Sequence, residues 1–414
     1  MSRQRILVLT ASHLCRNPRV VKEAATLGAA GYDVTVMSVS VQARFERMDL
    51  ELMRGQPFQR VVIDHASPAW PVQLSAFLQR SATWGARHLC RALKLELAQS
   101  LGPASALLRL ARAHPADLTI VHTEIPIWAA QYLIRDGRRV AVDVEDWYSQ
   151  DLLYADRHSR PLSLLRAAEA FVLNRSAYAS ATSDSMAEAL AEAYQCPRPI
   201  TLRNTFPLQP RSRLDRPSGD EPPAFIWFSQ TIGQGRGLEL FLSAWAQTRH
   251  PSRVCLLGDE RPGYRQHLLS RVPARRRADI RFLPLVTPEE LPRALTAFDI
   301  GLALEPNWPR NRDVTISNKL FQYLTAGLAV VATDTAGQSE VLRAVPACGL
   351  LIQAHETTLL TAQLDALLGD RARLRACQTA ARAAAASQFS WEHDAPRLLA
   401  AVDQALRTPT VAPA

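Results

Sequence analysis

The chain has 414 residues, 47% hydrophobic and 21% charged, which excludes a disordered or fibrous protein and suffices for two domains of ordinary size. Its net charge of +9 suits an anionic partner, whether nucleic acid, acidic lipid or a phosphorylated substrate. Six scattered cysteines, with no Cys-x-x-Cys pair and no histidines at ligand spacing, argue against a zinc site and a disulfide framework.

In chain order, Arg5 to Leu9 (RILVL) read as a buried first strand. That run is too short for a signal-peptide core, and no segment approaches the roughly 18 apolar residues that span a bilayer, so a reduced cytoplasmic setting is the plain expectation. Asn17-Pro18 supplies an N-cap and a proline at the first helical position. Val20, Val21, Ala24 and Leu27 then follow at helical spacing, and Gly31 ends the helix before the strand Val34 to Met37. Leu118 to Val121, a helix near 126–135 and Val140 to Val142 continue the alternation that implies parallel, doubly wound sheets.

The segment 77–99 (FLQRSATWGARHLCRALKLELAQ) has a basic amphipathic pattern. At about 100° per residue Arg80, Arg87, Arg91 and Lys94 fall together, opposite Leu78, Ala82, Leu89 and Leu93. Such a helix is either a solvated domain face or, with Trp84 beside the cationic side, a contact to an anionic membrane surface.

Proline, serine and charge replace periodicity over 207–223, which marks a linker at 211–223 between a first domain, 1–210, and a second, 224–388. The alternation restarts with Phe225 to Phe228, a helix over 238–245, Val254 to Leu257, a helix near 262–272, Ile280 to Phe282, a helix over 289–297, Ile300 to Leu304 and Val330 to Ala332. Two Rossmann-like α/β domains joined this way are expected to face a cleft at the carboxyl ends of both sheets, where ligands of such sheets bind.

Two loops of the second domain look suited to an anion. In SQTIGQGRGLE, Gly233, Gly235 and Gly237 let backbone approach a phosphate and Arg236 can pair with it, although a glycine-rich loop also reads as a plain turn. In VTISNKLFQYLTAG, Thr315, Ser317 and Asn318 are cap-type residues and Lys319 sits in the first helical turn. An ammonium there opposes the helix dipole unless an anion lies near; the alternative is a lysine that snorkels to solvent. In the first domain, His122 and Glu124 follow one strand, and Asp143, Glu145 and Asp146 follow another.

These motifs, in the order NPRVVKEAATLGAAGYDVTV, DLTIVHTEIPIW, VAVDVEDW, GQGRGLE, FLPLVTPEELPRAL and SNKLFQYLTAGLAVVATDTAGQSEV, followed by Phe389-Ser390-Trp391-Glu392, resemble the glycosyltransferases of family 4, which have the GT-B architecture. The resemblance covers nearly the whole chain. It implies a retaining, metal-independent transferase of hexosyltransferase type with no cofactor, taking sugar from a UDP- or GDP-sugar to a carbohydrate or lipid-linked acceptor for polysaccharide or glycolipid synthesis. Residues 389–414 would form a last helix crossing back to the first domain, and the protein would be cytoplasmic and peripheral on the inner face of the plasma membrane.

By the same resemblance Arg236 and Lys319 would hold the diphosphate, with Gly233, Gly235, Gly237, Thr315, Ser317, Asn318 and Gln322 around the donor and the backbone of Leu285-Val286 near the base. His122 would be a cleft histidine touching the donor sugar or orienting the acceptor, with base duty a lesser role, and with Glu124, Arg236 and Lys319 would make up the catalytic group; the plain alternative is a hydrogen-bonded histidine at a strand end. Asn17, Arg19, Lys22, Glu145 and Asp146 would lie on the acceptor side. The Asp-Val-Glu-Asp run reads as acceptor-side carboxylates rather than a metal site.

The sequence also departs from the family. Its usual pair of glutamates, eight positions apart, is here Val314 and Gln322, and an arginine before the glycine loop's basic residue is Thr231. Ser317, Asn318 or Glu305 could take the first carboxylate's contact. The departures keep a degenerate, nucleotide-sugar-binding protein open as an alternative, beside a nucleotide-sugar epimerase. Nucleic-acid binding explains the charge alone and has no recognition element.

Overall fold

The computed structural model describes residues 3–93, 95–153, 157, 160–216, 221–353 and 356–408. They form two compact units: the chain up to Leu202 joined by the chain from Ala395, and Arg203–Asp394.

The first unit is built on seven strands, β1 (Arg5–Leu9), β2 (Asp33–Ser40), β3 (Gln59–Asp64), β4 (Leu118–His122), β5 (Val140–Val144), β6 (Ala179–Ala181) and β7 (Ile200–Thr201), in the order β3-β2-β1-β4-β5-β6-β7. All pairings are parallel. β4 and β5 are buried along their whole length, as expected of central strands covered on both faces. The helix predicted after Asn17-Pro18 is Pro18–Ala29, capped by Asn17 Oδ1 on the Val20 amide at 3.2 Å.

The second unit carries β8 (Ala224–Ile232), β9 (Arg253–Glu260), β10 (Ile280–Leu283), β11 (Ile300–Ala303), β12 (Ala329–Thr333) and β13 (Gly349–Ile352), in the order β10-β9-β8-β11-β12-β13, again all parallel. The chain therefore has the α/β, two-Rossmann-unit architecture of the GT-B class. The helices near 262–272 and 289–297 are shorter than their periodicity suggests, Tyr264–Ser270 and Leu291–Leu295.

The contact boundary lies between Leu202 and Arg203. Within the stretch expected to link the domains, Arg213 is buried and its guanidinium lies 2.8 Å from Asp299, whose second oxygen accepts from the Ala224 amide. That part of the stretch is packed on the second unit, and residues 217–220 lie outside the described ones. Helix Trp391–Arg407 starts in the second unit, and its later residues count with the first, where Leu398, Val402 and Ala405 are buried.

The helix expected within 77–99 runs from Trp70 to Leu93 and packs differently from its expected amphipathicity. Its inner strip is Val72, Ala76, Gln79, Thr83, Ala86 and Cys90, small or polar residues three and four apart. Phe77, Leu78, Trp84, Leu89 and Leu93 are exposed, so the apolar face points away from the unit. Arg80, Arg87 and Arg91 flank that face, while Lys94 lies outside the described residues.

Candidate functional site

Lys319 sits in the first turn of helix Asn318–Ala326, which follows Ser317 and ends at Gly327 in the left-handed conformation. Tyr323 anchors this helix on the sheet: its hydroxyl lies 3.2 Å from both the Ile226 and Leu302 carbonyls, and its ring lies over Gly301 of β11. A Cβ at Gly301 would come within 2.1 Å of the Tyr323 ring, so only glycine allows the approach. The helix start is thereby fixed beside Glu305, two residues past the end of β11.

The ammonium neither snorkels nor stands open. Lys319 is 8% exposed, and its Nζ donates to Glu305 Oε1 at 2.7 Å and to Ser317 Oγ at 3.4 Å, 5.7 Å from the centre of the Trp227 ring. Ser317 makes no side-chain cap; its hydroxyl donates to Glu305 Oε1 at 3.4 Å. On the other side of the carboxylate, Arg236 Nη1 is 3.9 Å from Glu305 Oε2. Burial raises the Glu305 pKa, but Lys319, then Arg236 and Arg312, outweigh it and hold the carboxyl below its ordinary range. The expected phosphate cations are thus brought together, through an acid.

The glycine loop is shaped as its residues suggest. Gly235 and Gly237 have φ of 72° and 71°, and a Cβ at Gly237 would lie 2.8 Å from the Leu304 carbonyl oxygen. Arg312 Nη1 donates to the Gly235 carbonyl at 2.6 Å, tying the loop to the segment before Lys319. Gly233 lies against the Arg261 side chain. Thr315 is committed elsewhere, its hydroxyl 2.6 Å from the Asn311 carbonyl, and Gln322 Oε1 is buried with no partner among the described residues. Asn318 is exposed; Leu285 and Val286 pack at the core edge after β10.

In the first unit the expected site residues are close together, but several are consumed by one another. His122 ends β4 fully buried, with Nδ1 at 2.8 Å from Glu145 and 3.2 Å from Asp143, and Nε2 at 2.7 Å from Glu23. Burial pulls its pKa down, yet the three carboxylates win and hold it well above the ordinary 6.5. The ring is thus enclosed by carboxylates within this unit. Arg19, expected on the acceptor, is likewise buried; its Nη2 donates to Asp143 Oδ1 at 2.7 Å and its Nε to the other oxygen. Ser180 Oγ also donates to Asp143, at 2.7 Å.

Asn17 caps its helix as expected and donates through Nδ2 to both oxygens of Glu145, at 2.9 and 3.0 Å. Glu145 is therefore oriented from two sides, yet 15% of its side chain is exposed. Lys22 and Asp146 are half-buried. Glu124 opens helix Glu124–Arg135 directly after Thr123, a β-branched residue at φ 66° whose hydroxyl accepts from the Ala11 amide at 3.1 Å. Glu23, Ser180 and Arg312 escaped the sequence reading; Glu23 carried a signal only in facing the strands from the Pro18–Ala29 helix. The Glu23, His122 and Asp143 group has metal-ligand types within reach of one another, but both oxygens of Asp143 are engaged by Arg19.

Residues 222–370 match the family model described as glycosyl transferases group 1. The match lies wholly within the second unit. A segment of 127 residues, 31% of this chain, is 37% identical to the D-inositol 3-phosphate glycosyltransferase of Nocardia farcinica (strain IFM 10152) and spans only 26% of that protein. Among solved structures, Anabaena Alr3699/HepE in complex with UDP-glucose is similar over 97% of this chain and 100% of its own, with a TM-score of 0.67 and 15% identity. A Listeria monocytogenes protein assigned as a UDP-N-acetylglucosamine 2-epimerase is similar over 98% of this chain and 97% of its own, with a TM-score of 0.58 and 13% identity. At these identities the structures speak for the fold.

Proposed function

We propose that this protein is a retaining hexosyltransferase of the family 4 type that moves sugar from a UDP- or GDP-sugar to a hydroxyl of a carbohydrate or lipid-linked acceptor, in polysaccharide or glycolipid synthesis. The observation that carries this reading is the pair of cations, Lys319 and Arg236, brought to one carboxylate beside a glycine loop in the segment similar to group 1 glycosyl transferases. Charge that develops on a departing diphosphate is stabilised by such fixed cations, which need no reorganisation and, on this reading, no metal. Glu145, held by Asn17 and His122, is the first-unit carboxylate we assign to the acceptor.

The outward face of helix Trp70–Leu93 supports a place on the cytoplasmic side of the plasma membrane. Its 24 residues contain no aspartate or glutamate, and its arginines flank exposed Phe77 and Trp84. Among the described residues no helix is long and apolar enough to cross a membrane.

A thermal-shift panel of nucleotides and nucleotide-sugars, followed by product analysis, tests the reading. UDP- or GDP-sugars are expected to raise the melting temperature and Arg236→Ala to abolish the shift, with sugar appearing on an acceptor. A shift with no turnover across a broad acceptor panel favours the binding-protein alternative, which Val314, Gln322 and Thr231 motivate. Epimerised donor as the sole product favours the epimerase. No shift with any diphosphate overturns the donor site.

A further inference from the structure

We propose that Glu305 is a built-in counter-charge of the donor site, weakening the site's hold on the freed nucleoside diphosphate relative to the intact nucleotide-sugar. This rests on the donor-site reading above. Glu305 faces Lys319 at 2.7 Å and Arg236 at 3.9 Å, and Arg312, which holds the Gly235 carbonyl, acts on the same carboxylate. Lys319 and Arg236 outnumber the one carboxylate between them, so the site stays net positive with Glu305 ionised. A nucleotide-sugar carries about two negative charges on its diphosphate; once the sugar leaves, the terminal phosphate becomes a monoester with a second pKa near 6 and the total approaches about three.

Ionised Glu305 therefore takes one positive charge from the site, and this costs the product, with about three negative charges, more than the donor, with about two. Sequence position does not explain an acid here: Glu305 is 91% buried, where an unpaired carboxylate is costly, and its pairing with Lys319 removes the charge that the phosphate reading assigns to that lysine. A counter-charge resolves this, because the ammonium can turn toward an arriving phosphate while Glu305 limits how strongly it holds on. The same pair also keeps a buried lysine from standing uncompensated when the site is empty.

The test is calorimetric titration of UDP and UDP-glucose, and of GDP and GDP-mannose, into the full chain and into the Glu305→Gln and Glu305→Asp variants. Gln keeps the shape and the acceptor for Lys319 but removes the charge; Asp keeps the charge. Glu305→Gln is expected to bind the nucleoside diphosphate about tenfold more tightly, the scale of one unit charge a few ångströms away in a partly screened site, with a smaller gain for the nucleotide-sugar. Glu305→Asp is expected to keep the original preference. A merely structural salt bridge predicts the opposite sign, weaker binding in Glu305→Gln, and that result, or equal affinities, overturns the counter-charge. If Glu305→Gln does not fold, a Glu305→Asp variant that gains diphosphate affinity overturns it as well. Should the unaltered chain bind neither pair of ligands, the donor site itself falls.

Discussion

Lys319 Nζ and Glu305 Oε1 are 2.7 Å apart, each side chain 11% exposed, while Arg236 reaches the other oxygen at 3.9 Å with 35% of its side chain exposed. One carboxylate therefore has a buried partner and a surface partner. Lys319→Ala leaves Glu305 charged and buried and is expected to cost about 3–5 kcal/mol, whereas Arg236→Ala costs less than about 1 kcal/mol. Urea denaturation of the two variants measures this. Equal losses from the two single changes contradict the burial argument.

Gly301 and Tyr323 make a second, purely steric case. Gly301→Ala places a methyl 2.1 Å from the Tyr323 ring and is expected to lower stability by about 1–3 kcal/mol or more. It should also weaken nucleotide binding, because the helix that carries Lys319 must move. A calorimetric melting scan and a UDP titration read both effects. An unchanged melting temperature excludes the packing described.

His122 gives the first unit a dependence on pH with a definite sign. Its folded pKa lies above the ordinary 6.5, so its contribution is complete below about pH 6.5 and is lost as pH rises through the raised value. Asp143, held below the ordinary 3.8 chiefly by Arg19 against the opposing effect of burial, contributes above about pH 4 and loses its effect as pH falls. Hydrogen exchange in β4 and β5 is expected to accelerate, after correction for intrinsic rates, as the solution is made alkaline, by up to about 1.4 kcal/mol per pH unit within the His122 window. His122→Gln should remove that slope. A slope that survives the substitution refutes the assignment.

The Trp70–Leu93 helix predicts a partition behaviour. Phe77→Ser/Trp84→Ser is expected to abolish sedimentation with phosphatidylglycerol vesicles, and Arg80→Gln/Arg87→Gln/Arg91→Gln to weaken it mainly at low salt. Binding that ignores both sets of changes places the lipid contact elsewhere.

Most strands and their parallel pairing were legible because their apolar runs alternate with helical patterns, whereas β3, β6, β7 and β13 were not; Lys319 was legible because an ammonium in a first turn conflicts with the helix dipole. Its partner was harder to see. Glu305 stands 14 residues earlier on a strand end, a separation set by the sheet rather than by any helical period. His122 shows the same limit: Glu23 comes from another element, so the sequence revealed a histidine near carboxylates but not that they would enclose it. For Trp70–Leu93 the periodicity was correct and the packed face was not, because a narrow strip with two buried alanines lets the helix lie flat and leaves the large side chains outside. In the polar stretch before β8, likewise, the sequence did not reveal that Arg213 hides its charge against Asp299.

Helix Trp391–Arg407 has a consequence for the order of assembly. Arg203–Asp394 is one uninterrupted stretch, whereas the sheet made first is closed only by Leu398, Val402 and Ala405, which are made after that stretch. A released chain cut back to residues 1–394 should expose a protease-sensitive front portion behind a resistant later one.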